Sequence, residues 1–349
     1  MSDGIRPEQI NRKTEIFIND EFYHKQSDKW LREGDIVMVQ SGHVGHTAVI
    51  PPELNNIAAH ALIMFTDPKE EVSPYFLNFQ FQTENIKTKL SEITTGNTIK
   101  HILSSEMKDF EMFFTDFEEQ TAIGNTFQKL DSLINQHQQK HDKLSNIKKA
   151  MLEKMFPKQG ETIPEIRFKG FSGEWEEKEL GSVTQITMGQ SPSGENYTNN
   201  SNDFILVQGN ADLKNGFVVP RVWTSEVTKT ATQGALIFSV RAPVGEVGKT
   251  NYDVVLGRGV AAINANEFIF QQLKKLKSDN YWHKVSAGST FDAISSTELD
   301  STLIWVSSDS EQTAIGNYFQ KLDTLINQHQ QQITKLNNIK QACLSKMFV

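Results

Sequence analysis

Two stretches of the chain share one pattern of hydrophobic and polar positions. In residues 119–156 and again in residues 311–348, apolar side chains recur at alternating spacings of four and three. This is the heptad pattern of helices that pack on a partner helix. The two stretches are identical at most aligned positions, and both begin EQTAIGN and end KMF. The pattern predicts two long helices, with an apolar seam at Ile123, Phe127, Leu130, Ile134 and Leu144 in the first copy and at Ile315, Phe319, Leu322, Ile326, Ile333 and Leu336 in the second.

The other apolar runs are short and are separated by Gly and Pro. Residues 35–40, 204–207 and 235–240 read as β-strands, whereas residues 75–90 and 267–284 look helical. These elements repeat in the same order in both halves, so the sequence predicts an α+β protein in which two mixed α/β domains are each followed by a long helix. The predicted bounds are 1–118 for the first domain, 119–156 for the first helix, 157–310 for the second domain and 311–349 for the second helix.

The two halves differ at their starts. The second domain opens with a segment, Ile163–Tyr197, that has no counterpart before the first domain, because Met1 aligns near Ser201. We therefore expect the first domain to be truncated at its N-terminus.

Composition narrows the class of protein. The chain has 349 residues, a net charge of −8 and one cysteine, Cys343, so no internal disulfide or multi-cysteine zinc site is expected. Neither a transmembrane run nor a secretory signal is evident, and we expect a cytoplasmic protein. Most of the acidic excess lies in residues 1–118, which leaves room for basic surface in the second half.

Signals for catalysis are weak or missing. The P-loop, zinc-protease and nucleophile-elbow motifs do not occur, and Leu256–Ala262 lacks the third glycine of a dinucleotide loop. His137 and His141 have metal-binding spacing, but Ile333 replaces the second His in the other copy, which favours polar seam residues. The carboxylates of 174–179 favour a solvated surface run. We expect no catalytic residue and no metal site.

Several polar side chains near predicted strand ends and turns are candidates for contact with DNA. Amides can bond adenine in pairs, and arginines can meet guanine or phosphate, although each residue taken alone is commonly an ordinary surface group. The candidates are Gln190, Ser191, Ser193, Gln208, Asn210, Arg221, Arg241, Lys249 and Arg258 in the second domain, and Gln40, His43 and His46 in the first.

The ordered motifs resemble those of the specificity subunit of type I restriction-modification enzymes, over essentially the whole chain. The motifs are IPEIRFKGFSGEW from Ile163, GQSPS from Gly189, GALIFSVRAPVG from Gly234, AGST from Ala287, and EQTAIG leading into each long helix.

This resemblance implies a DNA-binding subunit that is not itself a catalyst. It implies two target recognition domains that each read half of a split DNA sequence, and two long helices that pack antiparallel as a spacer. It also implies two modification subunits that bring S-adenosylmethionine and methylate adenine, and restriction subunits that use ATP and Mg. Two similar helices would then present the same docking surface twice.

Two other readings remain. The chain fits a coiled-coil partner-binding remnant or a silent recombination copy that does not read DNA. A fused DNA methyltransferase is the other reading, and the missing cofactor motifs weigh against it.

Overall fold

The computed structural model describes residues 5–6, 9–10, 18–286 and 293–348. The AGST turn from Ala287 lies outside these ranges. By its internal contacts the chain divides into two compact units: the first unit is Met1–Gln139 with Gln330–Val349, and the second unit is Lys140–His329. Each unit therefore contains one α/β domain and a part of both long helices.

The first unit is built around a short three-stranded sheet of order β5-β4-β7. All four residues of β4 are buried, as expected for a continuous apolar run in a central strand. In chain order the elements are β1 (Ile5–Arg6), β2 (Gln9–Ile10), α1 (Asp20–Lys25), β3 (Trp30–Leu31), β4 (Ile36–Val39), β5 (Thr47–Val49), β6 (Ile57–Ala58), β7 (Leu62–Phe65), α2 (Pro74–Gln80), α3 (Glu84–Glu92), α4 (Ser104–Lys108) and α5 (Phe117–Lys154).

The second unit contains two larger sheets, a five-stranded one of order β10-β14-β11-β18-β15 and a six-stranded one of order β12-β13-β17-β16-β19-β9. A further pair, β8 and β20, lies beside the start of the last helix. The elements are β8 (Glu176–Glu179), α6 (Leu180–Val183), β9 (Gln185–Met188), β10 (Tyr197–Thr198), β11 (Phe204–Val207), β12 (Leu213–Lys214), β13 (Phe217–Val218), β14 (Val222–Thr224), β15 (Lys229–Ala231), β16 (Leu236–Ser239), β17 (Val247–Lys249), β18 (Val254–Leu256), β19 (Val260–Asn264), α7 (Glu267–Ser278), α8 (Tyr281–Ser286), α9 (Ser296–Asp300), β20 (Leu303–Val306) and α10 (Asp309–Met347).

The sheet cores of the two units repeat each other. β4 pairs antiparallel with β5 and β7, and β16 pairs in the same way with β17 and β19. Gly34 and Gly234 precede these strands with φ of 87° and 92°, in the left-handed region that favours glycine. The predicted repetition of elements in the two halves is thus present in these strands.

Helix pairs run antiparallel within each unit. In the first unit Asp131 of α5 contacts Lys340 of α10 at 2.7 Å between Oδ1 and Nζ. In the second unit Lys148 of α5 contacts Asp323 of α10 at 2.6 Å. Low numbers on one helix meet high numbers on the other, which confirms the predicted antiparallel packing of the two helices.

Burial follows most of the predicted seam. Phe127 and Phe319 are fully buried, and Lys148 and Lys340, which lie on the same two helices, are almost as deep, at 9% and 4% exposure. Near the end of the second helix Leu344 is buried, whereas Met347 is exposed. The carboxylates of β8 are all exposed, as a solvated run should be.

Two helix predictions were wrong in extent. Residues 75–90 form two helices, because the Thr83 hydroxyl caps a new helix by accepting from the Ile86 N–H. Residues 267–284 are likewise split into α7 and α8, where Asn280 adopts a positive φ of 56°. No helix in the described part of the chain is long and apolar enough to cross a membrane.

Candidate nucleic-acid interface

Two candidate residues follow neighbouring strands of the second unit. β11 and β18 are parallel, with Val207 opposite Leu256, so their carboxyl ends lie at the same edge of the sheet. Gln208 comes directly after β11, and Arg258 lies in the turn after β18. Arg258 is exposed and Gln208 is half-buried. We call this edge, with the loops that reach it, the polar edge.

The loop after β9 is held against this edge by its backbone. The Gln190 N–H donates to the Leu256 carbonyl at 2.8 Å, and the Ser191 hydroxyl accepts from the Arg258 N–H at 3.1 Å. At Gly189 a Cβ would lie 2.1 Å from the Gly257 carbonyl oxygen, so only glycine permits this approach. The GQSPS motif is therefore a loop packed onto the Arg258 turn.

A buried carboxylate orders the next part of the polar edge. Asp212 accepts hydrogen bonds from the Gln208 N–H at 2.7 Å and from Arg221 Nε at 2.8 Å. Its side chain is 3% exposed, whereas that of Arg221 is 52% exposed. Asn210 lies in the same turn, Asn210–Asp212. The arrangement leaves part of the Arg221 guanidinium facing solvent while its Nε is fixed.

Ser193 and Arg241 also border this edge. The Ser193 N–H donates to Glu226 at 2.7 Å, and this bond, with another from Asn196, holds the pKa of Glu226 below its usual range. Arg241 is exposed and follows Val240, whose N–H donates to the Gly259 carbonyl at 3.0 Å, next to the Arg258 turn.

Lys249 is placed elsewhere. Lys249 lies on β17 and pairs with Leu236, the first residue of β16. Ser239 is at the other end of β16, and Arg241 follows it. The Lys249 ammonium forms an ion pair with Glu267 and lies 5.1 Å from the centre of the Phe270 ring. The structure therefore groups eight of the nine second-domain candidates at the polar edge and leaves Lys249 apart from them.

The three candidates of the first unit lie on the loop between β4 and β5. The His43 and His46 rings stack with centroids 5.7 Å apart, and the Gln40 carbonyl accepts from the Ile102 N–H. Burial, followed by His43 and Lys87, lowers the pKa of His46. The two histidines line a cavity of about 520 Å³ whose lining also includes Lys87, Lys100, Leu90 and Leu344.

Sequence reasoning missed the carboxylates that organise the polar edge. Asp212 and Glu226 were not singled out, because their role depends on turns that bring distant backbone amides to one oxygen. The nearest signal was the small polar composition of Gln208–Asp212 after an apolar strand. Among the described residues no group of three or more His, Cys, Asp or Glu side chains is arranged to hold a metal ion.

Most of the chain matches one protein family. The family model described as "Type I restriction modification DNA specificity domain" matches residues 5–146 and 172–338. The match therefore occurs twice and covers most of the chain.

Two curated relatives come from Methanocaldococcus jannaschii. The chain is 27% identical over 300 residues to a putative type I restriction enzyme MjaX specificity subunit, an alignment that covers 81% of this chain and 69% of that protein. It is 23% identical over 185 residues to the type I restriction enzyme MjaIX specificity subunit, covering 48% of this chain and 40% of that protein.

Two solved structures share the fold. The type I restriction-modification system S subunit from M. genitalium is 18% identical, with a TM-score of 0.64 over 100% of this chain and 91% of that chain. A chain from a study of complex assembly and conformational transition of the type I R-M system is 23% identical, with a TM-score of 0.54 over 91% of this chain and 82% of that chain.

Proposed function

This chain belongs to the family of type I restriction modification DNA specificity domains, and from that premise we propose that each of its units reads one half of a split DNA target. The protein is a DNA-recognition component and not the catalyst. The observation that carries the proposal is the polar edge of the second unit, where amide, hydroxyl and guanidinium groups from separate loops converge.

The chemistry of the polar edge suits direct reading of base pairs. A glutamine amide can bond adenine N6 and N7, and an arginine can bond guanine O6 and N7, each pair contributing about 1–3 kcal/mol of discrimination. Gln208 and Arg258 supply these groups. Arg221 and Arg241 are exposed at the same edge and suit contacts with phosphate. Asp212 and the close backbone contact at Gly189 fix the loops that carry Gln208 and Arg258. Little conformational entropy is therefore lost when these loops bind DNA.

The net charge of −8 is compatible with a subunit that binds DNA together with partner subunits. We propose that two modification subunits dock on the repeated helices, supply S-adenosylmethionine and methylate adenine in both half-sites. Much of the phosphate neutralisation then comes from those subunits. Restriction subunits would add ATP-driven activity with Mg. We propose the cytoplasm as the place of action, beside chromosomal DNA.

The test is to map adenine methylation across a host genome with and without this gene, with the modification subunit co-expressed. We expect one split motif that disappears when the gene is deleted. No change in any motif would contradict the proposal. A motif with only one defined half would mean that the second unit reads DNA and the first only binds a partner.

A further inference from the structure

The cavity of the first unit has a filled counterpart in the second unit. Trp282 of α8 is 2% exposed, and its ring lies edge-on to that of Phe238, with centroids 4.7 Å apart. A Cβ at Gly245, in the loop between β16 and β17, would lie 2.3 Å from Cδ1 of Trp282. The indole is therefore packed directly against this loop and leaves no room beside it.

In the first unit a leucine stands at the place of this tryptophan. Leu90 and Trp282 are separated by the same interval as the two EQTAIG motifs. A Cβ at Gly45, the counterpart of Gly245, would lie nearest to Cδ1 of Leu90, at 3.2 Å. Leucine is the smaller residue, and a cavity of about 520 Å³ lies beside it. Pockets for small ligands commonly have volumes of about 300–1,000 Å³.

The charged groups beside the two loops also differ. In the second unit Glu246 follows Gly245 and forms an ion pair with Lys277, so that each charge is compensated. In the first unit His46 stands at the position of Glu246, directly after Gly45. A carboxylate is thus replaced by a group that is neutral or cationic. The first unit therefore lacks the negative charge that balances a lysine in the second.

Cationic side chains are nevertheless gathered at the cavity. Lys87 and Lys100 line it together with His43 and His46. Burial, followed by His43 and Lys87, lowers the pKa of His46, so these groups are close enough to repel one another when charged. Lys87 contacts Glu84 at 2.8 Å, but this pair lies at the surface, where such contacts contribute little. An anion bound in the cavity would be stabilised by charge-assisted hydrogen bonds from these side chains.

The rest of the lining suits a planar group with a polar edge. Phe81 and Leu344 supply apolar surface, and Gln82 and Gln341 supply amides that can both donate and accept. Thr47 also lines the cavity, and its hydroxyl is buried without a partner among the described residues. An unsatisfied buried hydroxyl is unfavourable, and a hydrogen-bonding ligand can supply a partner. A nucleobase has both a face that stacks on apolar side chains and an edge that forms hydrogen bonds.

We propose that this cavity binds one nucleotide, with its phosphate on the cationic side chains and its base beside Leu90. The phosphate takes the role that the Glu246 carboxylate has in the second unit, and the base takes the space of the Trp282 indole. Such a nucleotide has two sources, a free nucleoside monophosphate or a nucleotide of bound DNA turned out of its stack. The second source rests on the proposed function of the first unit, whereas the first source does not.

The direct test is calorimetric titration of the full chain with adenosine monophosphate. We expect saturable one-to-one binding, and we expect inorganic phosphate and adenosine each to bind about tenfold more weakly or less, because each carries only part of the recognised chemistry. A mixed-sequence DNA duplex added in excess distinguishes the two sources: displacement of adenosine monophosphate assigns the cavity to a nucleotide of DNA, and retention assigns it to a free nucleotide. The absence of saturable binding, or phosphate bound as tightly as adenosine monophosphate, would overturn the proposal.

Two substitutions that copy the second unit locate the bound nucleotide. Leu90→Trp should fill the cavity, and His46→Glu should place a carboxylate beside Lys87, so each should weaken the binding of adenosine monophosphate by about tenfold or more. Leu133→Trp adds the same indole at a position of α5 that is 43% exposed, and it should leave binding unchanged. The Tm of each variant checks that it is folded. Binding that survives both Leu90→Trp and His46→Glu would overturn the proposal.

Discussion

At the residue scale, two equivalent glutamates show how burial decides what a charged side chain contributes to stability. Glu311 and Glu119 occupy the same position of the repeated EQTAIG motif. One is buried and bonded by Arg167 and Trp175, and the other is exposed. Removing one partner of a buried ion pair leaves an uncompensated charge or donor, whereas an exposed pair contributes little.

We therefore predict that Glu311→Gln destabilises the protein by about 3–5 kcal/mol, because Arg167 would remain buried without its carboxylate. The matched Glu119→Gln should change stability by less than about 0.5 kcal/mol. Urea unfolding followed by circular dichroism measures both. Equal effects of the two substitutions would contradict this account.

The lysine–aspartate pairs between the helices differ between the units. In the first unit burial raises the pKa of Asp131 to about 7 and lowers that of Lys340 to about 8, although their 2.7 Å contact favours both charged forms. In the second unit burial also acts to raise the pKa of Asp323, but Lys274 and Lys148 outweigh it, and the pKa lies below its usual range.

Lys340→Met should make stability depend on pH. In the wild type the Lys340 ammonium at 2.7 Å favours the Asp131 carboxylate against burial. Without the lysine, burial acts alone, so the folded pKa of Asp131 lies higher than in the wild type and further above the unfolded value of about 3.9. The folded state holds the proton more tightly, so the variant loses stability as pH rises from about 4 to about 7. The Tm difference from wild type should be larger at pH 8 than at pH 5.

Lys148→Met is the control for that experiment. Asp323 would keep Lys274 at 3.3 Å and Gln271 at 2.9 Å, so its carboxylate stays compensated. We expect a smaller loss of Tm that does not grow over the same pH range. A loss that is the same at both pH values for Lys340→Met would contradict the prediction.

At the element scale, the repeated EQTAIG motif seats each long helix on its own domain. Gln120 Oε1 accepts from the Ser73 N–H at 3.1 Å, and Gln312 Oε1 accepts from Asn266 Nδ2 at 2.8 Å. Their amide nitrogens donate to the Thr115 and Ser307 carbonyls. The motif is thus repeated because each helix begins on the same kind of framework.

The glycine of the EQTAIG motif tests how closely each long helix packs on its domain. A Cβ at Gly316 would lie 2.9 Å from the Glu267 Cβ, whereas at Gly124 the nearest atom is 3.1 Å away. Alanine normally favours a helix over glycine by about 1 kcal/mol. We predict instead that Gly316→Ala lowers Tm, and lowers it more than Gly124→Ala, in differential scanning calorimetry. A rise in Tm for Gly316→Ala would show that the contact is not close.

Much of the secondary structure was predictable from the sequence, and the exceptions have physical causes. The helices predicted from 119 and 311 begin at Phe117 and Asp309, and residues 204–207 form a strand as expected. Heptad spacing is a strong and long signal. Residues 75–90 were misread because a cap at Thr83 breaks the helix, and a single hydroxyl is a weak signal beside sixteen helix-compatible positions.

The candidate site was only partly predictable. Gln208 and Arg258 are fifty residues apart in the chain, and they meet because β11 and β18 are parallel neighbours. Residue type alone put Lys249 in the same group, but its strand, β17, belongs to the six-stranded sheet, and Lys249 pairs there with Leu236 at the start of β16. These placements depend on the order of strands in each sheet, which cannot be predicted from the composition of a single segment.

At the scale of the whole molecule, duplication explains both the likeness and the difference of the two units. In each unit, equivalent residues anchor a long helix on its domain and form the ion pairs between the two helices. The sheets that carry the candidate readers differ, with a polar edge in one unit and a histidine-lined cavity in the other. The function proposed above, in which one kind of partner docks twice and two different half-sites are read, requires this combination.

The most direct test of the central claim is adenine-methylation mapping in cells that carry Gln208→Ala or Arg258→Ala, with Lys249→Ala, in the other sheet of the second unit, as a control. The modification subunit is co-expressed, and the amount of folded protein is checked in each case. We predict that the first two variants relax or abolish one half of the split motif and leave the other half intact, while the control keeps both. An unchanged motif in Gln208→Ala and Arg258→Ala would contradict the claim that the polar edge reads DNA.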